Sequence, residues 1–276
     1  MIDAGVTNGA ATEAPDEVAD LVPDDAPYSV PWRVATLVHR IRETATAMTL
    51  ELDVPGWRGA MAGQHVDVRL TAEDGYSAQR SYSLASPASI GMPVVGAASQ
   101  RIALTVQVVD DGEVSPYLTE DLEVGDQIEL RGPIGNWFVW HPTDTRPVQL
   151  VAGGSGLVPL MSMARTHAAC GSSAPMRLLV SVRTPADALY ADELDGLGPG
   201  VEVTRVWTRS GPPAWAGPVG RVTPAQLAAA GFAPDESPRV FVCGPTAFVE
   251  AVADALVDLG HDPDLIRTER FGPTGS

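Results

Sequence analysis

Four consecutive residues, Arg80, Ser81, Tyr82 and Ser83, bring a guanidinium, an aromatic ring and two hydroxyls to the end of an alternating, strand-like run. Because side chains alternate between the two faces of a strand, Arg80 and Tyr82 are expected on one face and the two serines on the other. An arginine fork pairs with phosphate through charge-assisted hydrogen bonds, and a tyrosine ring can lie against a flat ligand. The stretch therefore predicts a site for a ring-containing phosphate ligand, although an ordinary edge strand would also explain so short a match.

A second candidate for phosphate binding is the turn from Gly112 to Ser115. Glycine lets the backbone approach a ligand closely, while Ser115 followed by Pro116 predicts the N-cap and first residue of a short helix. The free N–H groups at a helix N-terminus can bind a pyrophosphate, but an ordinary capped helix would look the same.

A glycine-rich loop, Gly153-Gly154-Ser155-Gly156, follows an apolar run and precedes an apolar helix that begins near Leu157. It departs from the dinucleotide fingerprint GxGxxG because Pro159 replaces the third glycine, and from the hydrolase elbow GxSxG because Leu157 replaces the last one. A P-loop is excluded because the sequence contains no lysine. The N–H groups of the loop can still hold phosphate.

Composition narrows the class of protein further. The formal net charge of -17 over 276 residues would repel nucleic acids and anionic membranes, so we expect neither as a partner. Two cysteines, Cys170 and Cys243, cannot build a four-thiolate cluster or zinc site, and the five histidines form no metal-binding spacing, so no metal site is predicted. With no apolar run long enough to span a bilayer and no signal pattern at the amino terminus, we expect a cytoplasmic protein. We also expect it to be a monomer.

The change of periodicity along the chain predicts two domains after an acidic tail over 1–28, which lacks the apolar residues needed to order itself. Residues 29–142 contain six strand-like segments separated by turn residues, which predict a six-stranded antiparallel β-barrel. These segments are 32–38, 46–54, 65–71, 79–84, 101–109 and 127–130. Residues 147–271 alternate apolar strands with helices, and therefore predict a doubly wound parallel sheet with its ligand at the carboxyl ends of the strands. These strands are 148–152, 176–182, 201–206 and 239–243, and the last helix spans 245–259.

Five motifs in this order, spread over roughly residues 30 to 271, resemble those of the ferredoxin–NADP reductase superfamily. The flavin motifs RxYS and GxxS are matched by Arg80-Ser81-Tyr82-Ser83 and by Gly112-Glu113-Val114-Ser115. Gly153-Gly154-Ser155-Gly156 through Pro159 is similar to the nicotinamide loop GGTGxxP, Cys243-Gly244-Pro245 matches CGP, and Glu269-Arg270-Phe271 looks like the acidic–aromatic ending. The resemblance implies an FAD-dependent NAD(P)H oxidoreductase without a fused [2Fe–2S] domain.

The resemblance also implies roles for individual residues. Arg80 and Ser115 would bind the FAD pyrophosphate, Tyr82 would stack on the isoalloxazine and Ser83 would lie near flavin N5. Further flavin contacts are implied at Ser81, Val106, Gln107, Gly112 and Val114. The nicotinamide would contact Gly153, Gly154, Ser155, Gly156, Pro159, Cys243, Gly244 and Pro245. The catalytic set would be Ser83, Cys243, Glu269 and Phe271, where Phe271 replaces the terminal tyrosine of plant-type members and would cover the flavin face.

The choice of nicotinamide nucleotide depends on the residues after two strands. Arg183 and Thr208-Arg209 could bind the 2′-phosphate of NADPH, no carboxylate is expected at either strand end, and Tyr190 resembles the adenine-side tyrosine of the family. We therefore expect NADPH, with NADH possible, although either arginine could be a solvated charge.

The expected electron acceptor is a separate protein, a ferredoxin or an iron-containing oxygenase component, because the chain has too few cysteines for a fused [2Fe–2S] domain. Its acidity favours a neutral or basic partner, or local basic patches. Two alternatives stay open. One is a diaphorase-like reductase of flavins, quinones or ferric chelates, and the other is a non-catalytic nucleotide-sensing module.

Overall fold

Two sheets of different type follow one another along the chain, which a computed structural model describes over residues 30–89, 99–109, 111–198 and 200–272. The acidic tail predicted over 1–28 lies outside the described residues. The first sheet contains β1 (Trp32–Thr44), β2 (Ala47–Pro55), β3 (His65–Thr71), β4 (Ser77–Ser83), β5 (Ser99–Gln107) and β6 (Gln127–Ile134). The second contains β7 (Val148–Gly153), β8 (Met176–Val182), β9 (Val201–Trp207), β10 (Arg239–Pro245) and β11 (Ile266–Phe271).

The first sheet has the strand order β4-β3-β6-β1-β2-β5, and its neighbouring strands are antiparallel. A bridge between Leu84 and Leu104 joins its two edges. Alternate residues such as Leu50, Leu52 and Val66 point inward and are fully buried in one apolar core. The predicted six-stranded antiparallel barrel is confirmed.

Two local features of the barrel differ from the sequence predictions. Strand β1 continues to Thr44, because pairs such as Arg40 with Leu50 extend the ladder with β2 past the predicted end at Val38. The hydroxyl of Ser115 accepts a hydrogen bond from the backbone N–H of Val109 at 3.1 Å, and a single π-helical turn, Tyr117–Asp121, follows. The prediction that Ser115 caps this helix is wrong, because its oxygen instead binds the end of the preceding segment.

The second sheet has the order β11-β10-β7-β8-β9, with its neighbouring strands parallel. Its helices are α1 (Leu157–Cys170), α2 (Ala191–Gly196), α3 (Pro224–Ala230) and α4 (Thr246–Asp258). Alternate strand residues pack on opposite faces: Leu150 lies in the cluster with α1 and α2, and Val151 in the cluster with α3 and α4. The predicted doubly wound sheet is confirmed, and β11 is a strand that the sequence analysis did not identify.

The two domains share part of one apolar core. Ala62, Phe138 and Trp140 from the barrel side pack in the same cluster as Leu157 and Phe241 of the second domain. This packing holds the end of β4 against the carboxyl ends of the parallel strands. Each helix in the described part of the chain is too short or too polar to span a lipid bilayer.

Candidate active site

The end of β4 and the last strand of the second sheet meet at Ser83 and Glu269. The Ser83 hydroxyl lies 3.5 Å from Glu269 Oε1, at the outer limit of a hydrogen bond. Cys243 is paired in register with Glu269 across β10 and β11 and is fully buried. The structure thus brings together three of the four residues predicted to be catalytic, from two domains.

Burial determines the protonation of these groups. It raises the pKa of Glu269 to about 7, while the Ser83 hydroxyl opposes the shift by favouring the carboxylate. Burial also raises the pKa of the Cys243 thiol, and the nearby Glu269 carboxylate adds to this effect. Near neutral pH the site therefore combines a protonated thiol with a carboxyl group that can hold or release a proton.

A cavity of about 380 Å³ lies beside this pair. Its lining includes Ser81, Ser83, Glu269, Phe271 and Trp137. Ser81 donates a hydrogen bond to Asp67 Oδ1 at 2.6 Å, and Phe271, the fourth residue predicted to be catalytic, is half-buried against the shared core. The two serines of the Arg80–Ser83 stretch therefore face one cavity, as the strand alternation predicts.

Arg80 and Tyr82 lie on the opposite face of β4. The Tyr82 ring packs against the barrel core, and burial raises its pKa to about 12, so the phenol stays neutral. The Arg80 side chain is 57% exposed, donates to the carbonyl of Gln79, and lies 3.9 Å from the Glu113 carboxylate. Its guanidinium is therefore open to an anion next to the turn that contains Gly112.

The predicted flavin contacts in the turn and in β5 differ in how accessible their side chains are. A Cβ at Gly112 would lie 2.9 Å from the Val109 carbonyl, so this turn requires glycine. The side chains of Val106 and Val114 are buried in the barrel core, which leaves only their backbone for a ligand. Gln107 is half-buried at the end of β5.

The predicted nicotinamide loop lies at the carboxyl ends of β7 and β10. Gly153 ends β7, Gly154–Gly156 forms a 3₁₀ turn, and Pro159 is buried in α1. Gly154 is exposed and has a φ of 55°, which favours glycine, whereas Ser155 is partly exposed. A Cβ at Gly156 would collide with the backbone of Cys243 and Gly244, so glycine here lets the loop lie directly against the Cys243-Gly244-Pro245 strand end.

The ends of β8 and β9 differ from the prediction in one respect. Asp187 lies in the turn that follows β8, and its carboxylate accepts hydrogen bonds from Arg183 at 2.9 Å and from Thr184 at 2.7 Å. The expectation that no carboxylate stands at this edge is therefore wrong, because a turn brings Asp187 back to the strand end. Arg209 follows Thr208 and is exposed, with no side-chain hydrogen bond or ion pair among the described residues.

Tyr190 lies at the domain interface and not at an open strand end. It is 4% exposed, its hydroxyl donates to Thr105 of β5, and its ring lies under the Arg165 guanidinium. No face of this ring is free for an adenine. The predicted adenine-side role of Tyr190 is therefore wrong, since the residue instead joins the barrel to the second domain.

Comparison with known proteins agrees with this division of the chain. A family model described as an oxidoreductase FAD-binding domain matches residues 35–139, and one described as an oxidoreductase NAD-binding domain matches residues 150–254. The ferredoxin–NADP reductase B of Sorangium cellulosum is 34% identical over 217 residues, which cover 76% of this chain and 84% of that protein. The chain belongs to the ferredoxin–NADP reductase family.

Other members of this family are similar over most of the chain. The glycine betaine monooxygenase reductase subunit of Chromohalobacter salexigens is 33% identical over 220 residues, which cover 77% of this chain and 56% of that protein. The chain thus spans little more than half of that relative's length. The crystal structure of an Amycolatopsis cytochrome P450 reductase superposes with a TM-score of 0.73 at 27% identity, covering 92% of this chain and 74% of that one.

Proposed function

We propose that this protein takes hydride from NAD(P)H onto FAD and passes single electrons to a separate acceptor protein. The observation that carries the proposal is the meeting of Ser83 and Glu269, 3.5 Å apart, at the junction of an FAD-type barrel and a nicotinamide-type sheet. Cys243 adjoins this pair at the strand end where nucleotides bind in such sheets.

The residues present fit an FAD. The exposed Arg80 guanidinium donates to the Gln79 carbonyl and lies 3.9 Å from the Glu113 carboxylate, so a pyrophosphate can displace the longer contact with Glu113. Gly112 has no side chain to obstruct the approach of a phosphate to the turn, and Ser115 lies three residues further on. Tyr82 offers a neutral phenol ring on the same face of β4 as Arg80.

When bound, FAD accepts an electron pair as hydride and releases electrons singly, and the protein aligns and tunes it. The Ser83 hydroxyl would lie at the edge of the flavin ring that receives the hydride, and its contact with Glu269 would hold it in that position. Glu269 would hold or release a proton at Oε1 near neutral pH, because burial raises its pKa to about 7. The buried thiol of Cys243 would provide an uncharged wall for the nicotinamide, and Phe271 would cover the flavin face until the nicotinamide displaces it.

The nucleotide donor is proposed to be NADPH, with NADH as a second donor. Support for NADPH is the exposed side chain of Arg209, which can bind a 2′-phosphate. The carboxylate of Asp187 accepts a hydrogen bond from Arg183. This contact leaves Arg183 less available for a 2′-phosphate and therefore limits the preference for NADPH.

The acceptor is proposed to be a ferredoxin or an iron-containing oxygenase component. Support comes from relatives named as reductases of a monooxygenase and of a cytochrome P450. The two free cysteines of this chain, Cys170 and Cys243, are too few to hold a [2Fe–2S] cluster.

The test is a reductase assay with FAD-loaded protein and NADPH, with and without added iron–sulfur proteins. Rapid, saturable reduction of an iron–sulfur protein supports the proposal. Reduction confined to quinones, free flavin or ferric chelates would instead establish the diaphorase-like alternative.

A further inference from the structure

The last strand of the second sheet carries two residues of the candidate site at an edge of that sheet. Among the described strands, β11 pairs with β10 only, because it ends the order β11-β10-β7-β8-β9. Glu269 and Phe271 lie on β11, whereas Ser83 belongs to the barrel. The 3.5 Å approach of Ser83 to Glu269 therefore depends on how the outer side of β11 is fixed against the barrel.

Arg267 provides a contact of this kind. Its Nη1 donates hydrogen bonds to the carbonyls of Trp137 at 2.9 Å and Val139 at 3.0 Å, in the segment that follows β6 of the barrel. The guanidinium also lies 5.3 Å from the centroid of the Trp137 ring and 6.0 Å from that of Phe241 in β10. Because Arg267 precedes Glu269 by two residues, both side chains point to the same face of β11.

The surroundings of this guanidinium differ from those of an ordinary salt bridge. Its Nε is buried without a hydrogen-bond partner among the described residues. The neighbouring carboxylate, Asp144, already binds Arg146 at 2.8 Å and Arg239 at 3.1 Å. Burial and the charges of Arg239 and Arg146 lower the pKa of Arg267. A cation without a carboxylate of its own costs free energy, which the two barrel carbonyls and the two rings offset.

Resting on the proposed function, we infer that Arg267 is a positioning residue that ties the edge strand β11 to the barrel and so holds Glu269 and Phe271 at the flavin site. The strand has the β10 ladder on one side and the Arg267 hydrogen bonds on the other. A displacement of the reacting groups by about 1 Å can slow a reaction about a hundredfold, so a contact two residues from Glu269 can affect the rate without touching the reacting atoms.

The first test uses the flavin-free protein and measures the free energy of unfolding in urea from about pH 5 to pH 8. The wild type should lose stability over this range, because the folded protein holds the proton of the buried Glu269 carboxyl. Arg267→Met removes the N–H donors and should at least about halve that loss, since β11 shifts and water reaches the carboxyl. A substitution that only weakens packing lowers the curve equally at every pH, so the readout is the shape of the curve.

Arg177→Met is the matched control for this substitution. Arg177 also donates to a backbone carbonyl, that of Gly231, and its guanidinium lies 4.3 Å from the Phe232 ring. It lies at the amino end of β8, away from the catalytic pair, so its loss should lower stability without changing the pH dependence. Arg267→Gln keeps an amide donor and is the milder substitution if Arg267→Met does not fold. It should also reduce the pH-dependent loss, by a smaller amount.

The second test follows hydride transfer in the FAD-loaded protein by stopped-flow mixing with NADPH. Arg267→Met should slow flavin reduction at saturating NADPH about tenfold or more and leave Kd for NADPH within about twofold, whereas Arg177→Met should change neither. If the wild-type flavin is never reduced, the proposed function fails, and the pH curves of the flavin-free protein still decide the inference. Normal reduction by the wild type, together with pH curves and reduction rates of Arg267→Met and Arg267→Gln that follow those of Arg177→Met, would overturn the inference.

Discussion

Ser83 and Glu269 lie 186 residues apart in the sequence, yet their side-chain oxygens approach to 3.5 Å where the barrel meets the parallel sheet. Neither domain alone contains this pair. Since burial raises the pKa of Glu269 to about 7, the docking of the domains also sets the protonation of the site.

Replacing Glu269 by glutamine should change how stability depends on pH. The folded-state pKa of about 7 lies above the ordinary value of 4.5, so the folded protein binds this proton more tightly than the unfolded chain does. That contribution is fully present below pH 4.5 and is lost as pH rises through 7. Between about pH 5 and pH 8, the wild type should therefore lose up to about 3 kcal/mol of stability relative to Glu269→Gln. Urea unfolding of the flavin-free proteins measures this, and parallel pH curves for the two would refute the assignment.

The two cysteines should react differently with iodoacetamide. Cys170 is exposed, whereas Cys243 is buried with a raised pKa, so the reactive thiolate is scarce there. Mass spectrometry of the native protein should find label on Cys170 only, and of the denatured protein on both. Cys170→Ala should remain unlabelled until it is denatured, and prompt native labelling of Cys243 would contradict its described burial.

Gly156→Ala should disrupt the contact between the glycine-rich loop and β10. The added methyl would overlap backbone atoms of Cys243 and Gly244, which cannot move without shifting the strand. We expect a loss of about 2–3 kcal/mol in the free energy of unfolding and weaker nucleotide binding. Gly196→Ala is the matched control, because no atom lies within 4 Å of its added Cβ, and it should change stability by less than about 1 kcal/mol. Equal effects of the two substitutions would refute the packing argument.

Arg209→Ala should raise KM for NADPH about tenfold or more, and KM for NADH far less, because a charge-assisted contact to the 2′-phosphate is lost. Arg183→Ala is the comparison variant and should have a smaller effect, since Asp187 already engages that guanidinium at 2.9 Å. Asp187→Ala should shift the ratio of kcat/KM towards NADPH by freeing Arg183. Steady-state kinetics with both nucleotides measures these KM and kcat/KM values. Equal effects of Arg209→Ala on KM for NADPH and for NADH would exclude the 2′-phosphate role.

Tyr190→Phe tests the corrected position of this residue. Losing the hydroxyl that donates to Thr105 should cost about 1–2 kcal/mol of stability. KM for NADPH should stay within about twofold of the wild type, because the ring lies in the domain interface. A large rise in KM without loss of stability would restore the adenine-side role.

Local patterns predicted most of the fold. Strand alternation placed Arg80 and Tyr82 opposite Ser81 and Ser83, and the change of period near residue 147 separated the barrel from the doubly wound sheet. Stretches whose structure depends on distant partners were less predictable: β11 has no strong apolar run, and it is a strand because it pairs with β10.

The errors at the site concern polar groups that find their partners through a local turn or across the domain interface. The hydroxyl of Ser115 binds the N–H of Val109, Tyr190 binds Thr105 of the other domain, and Asp187 returns to Arg183 through a turn. Asp187 could have been found from its spacing, four residues after an arginine at a strand end.

Hydride transfer from the nicotinamide nucleotide to the flavin is tested by an anaerobic titration of purified, FAD-loaded protein with NADPH and NADH while the flavin absorbance is recorded. We predict that FAD stays bound through gel filtration and that its yellow absorbance bleaches as nucleotide is added. A folded protein that does not retain FAD, or a bound flavin that neither nucleotide bleaches, would contradict it.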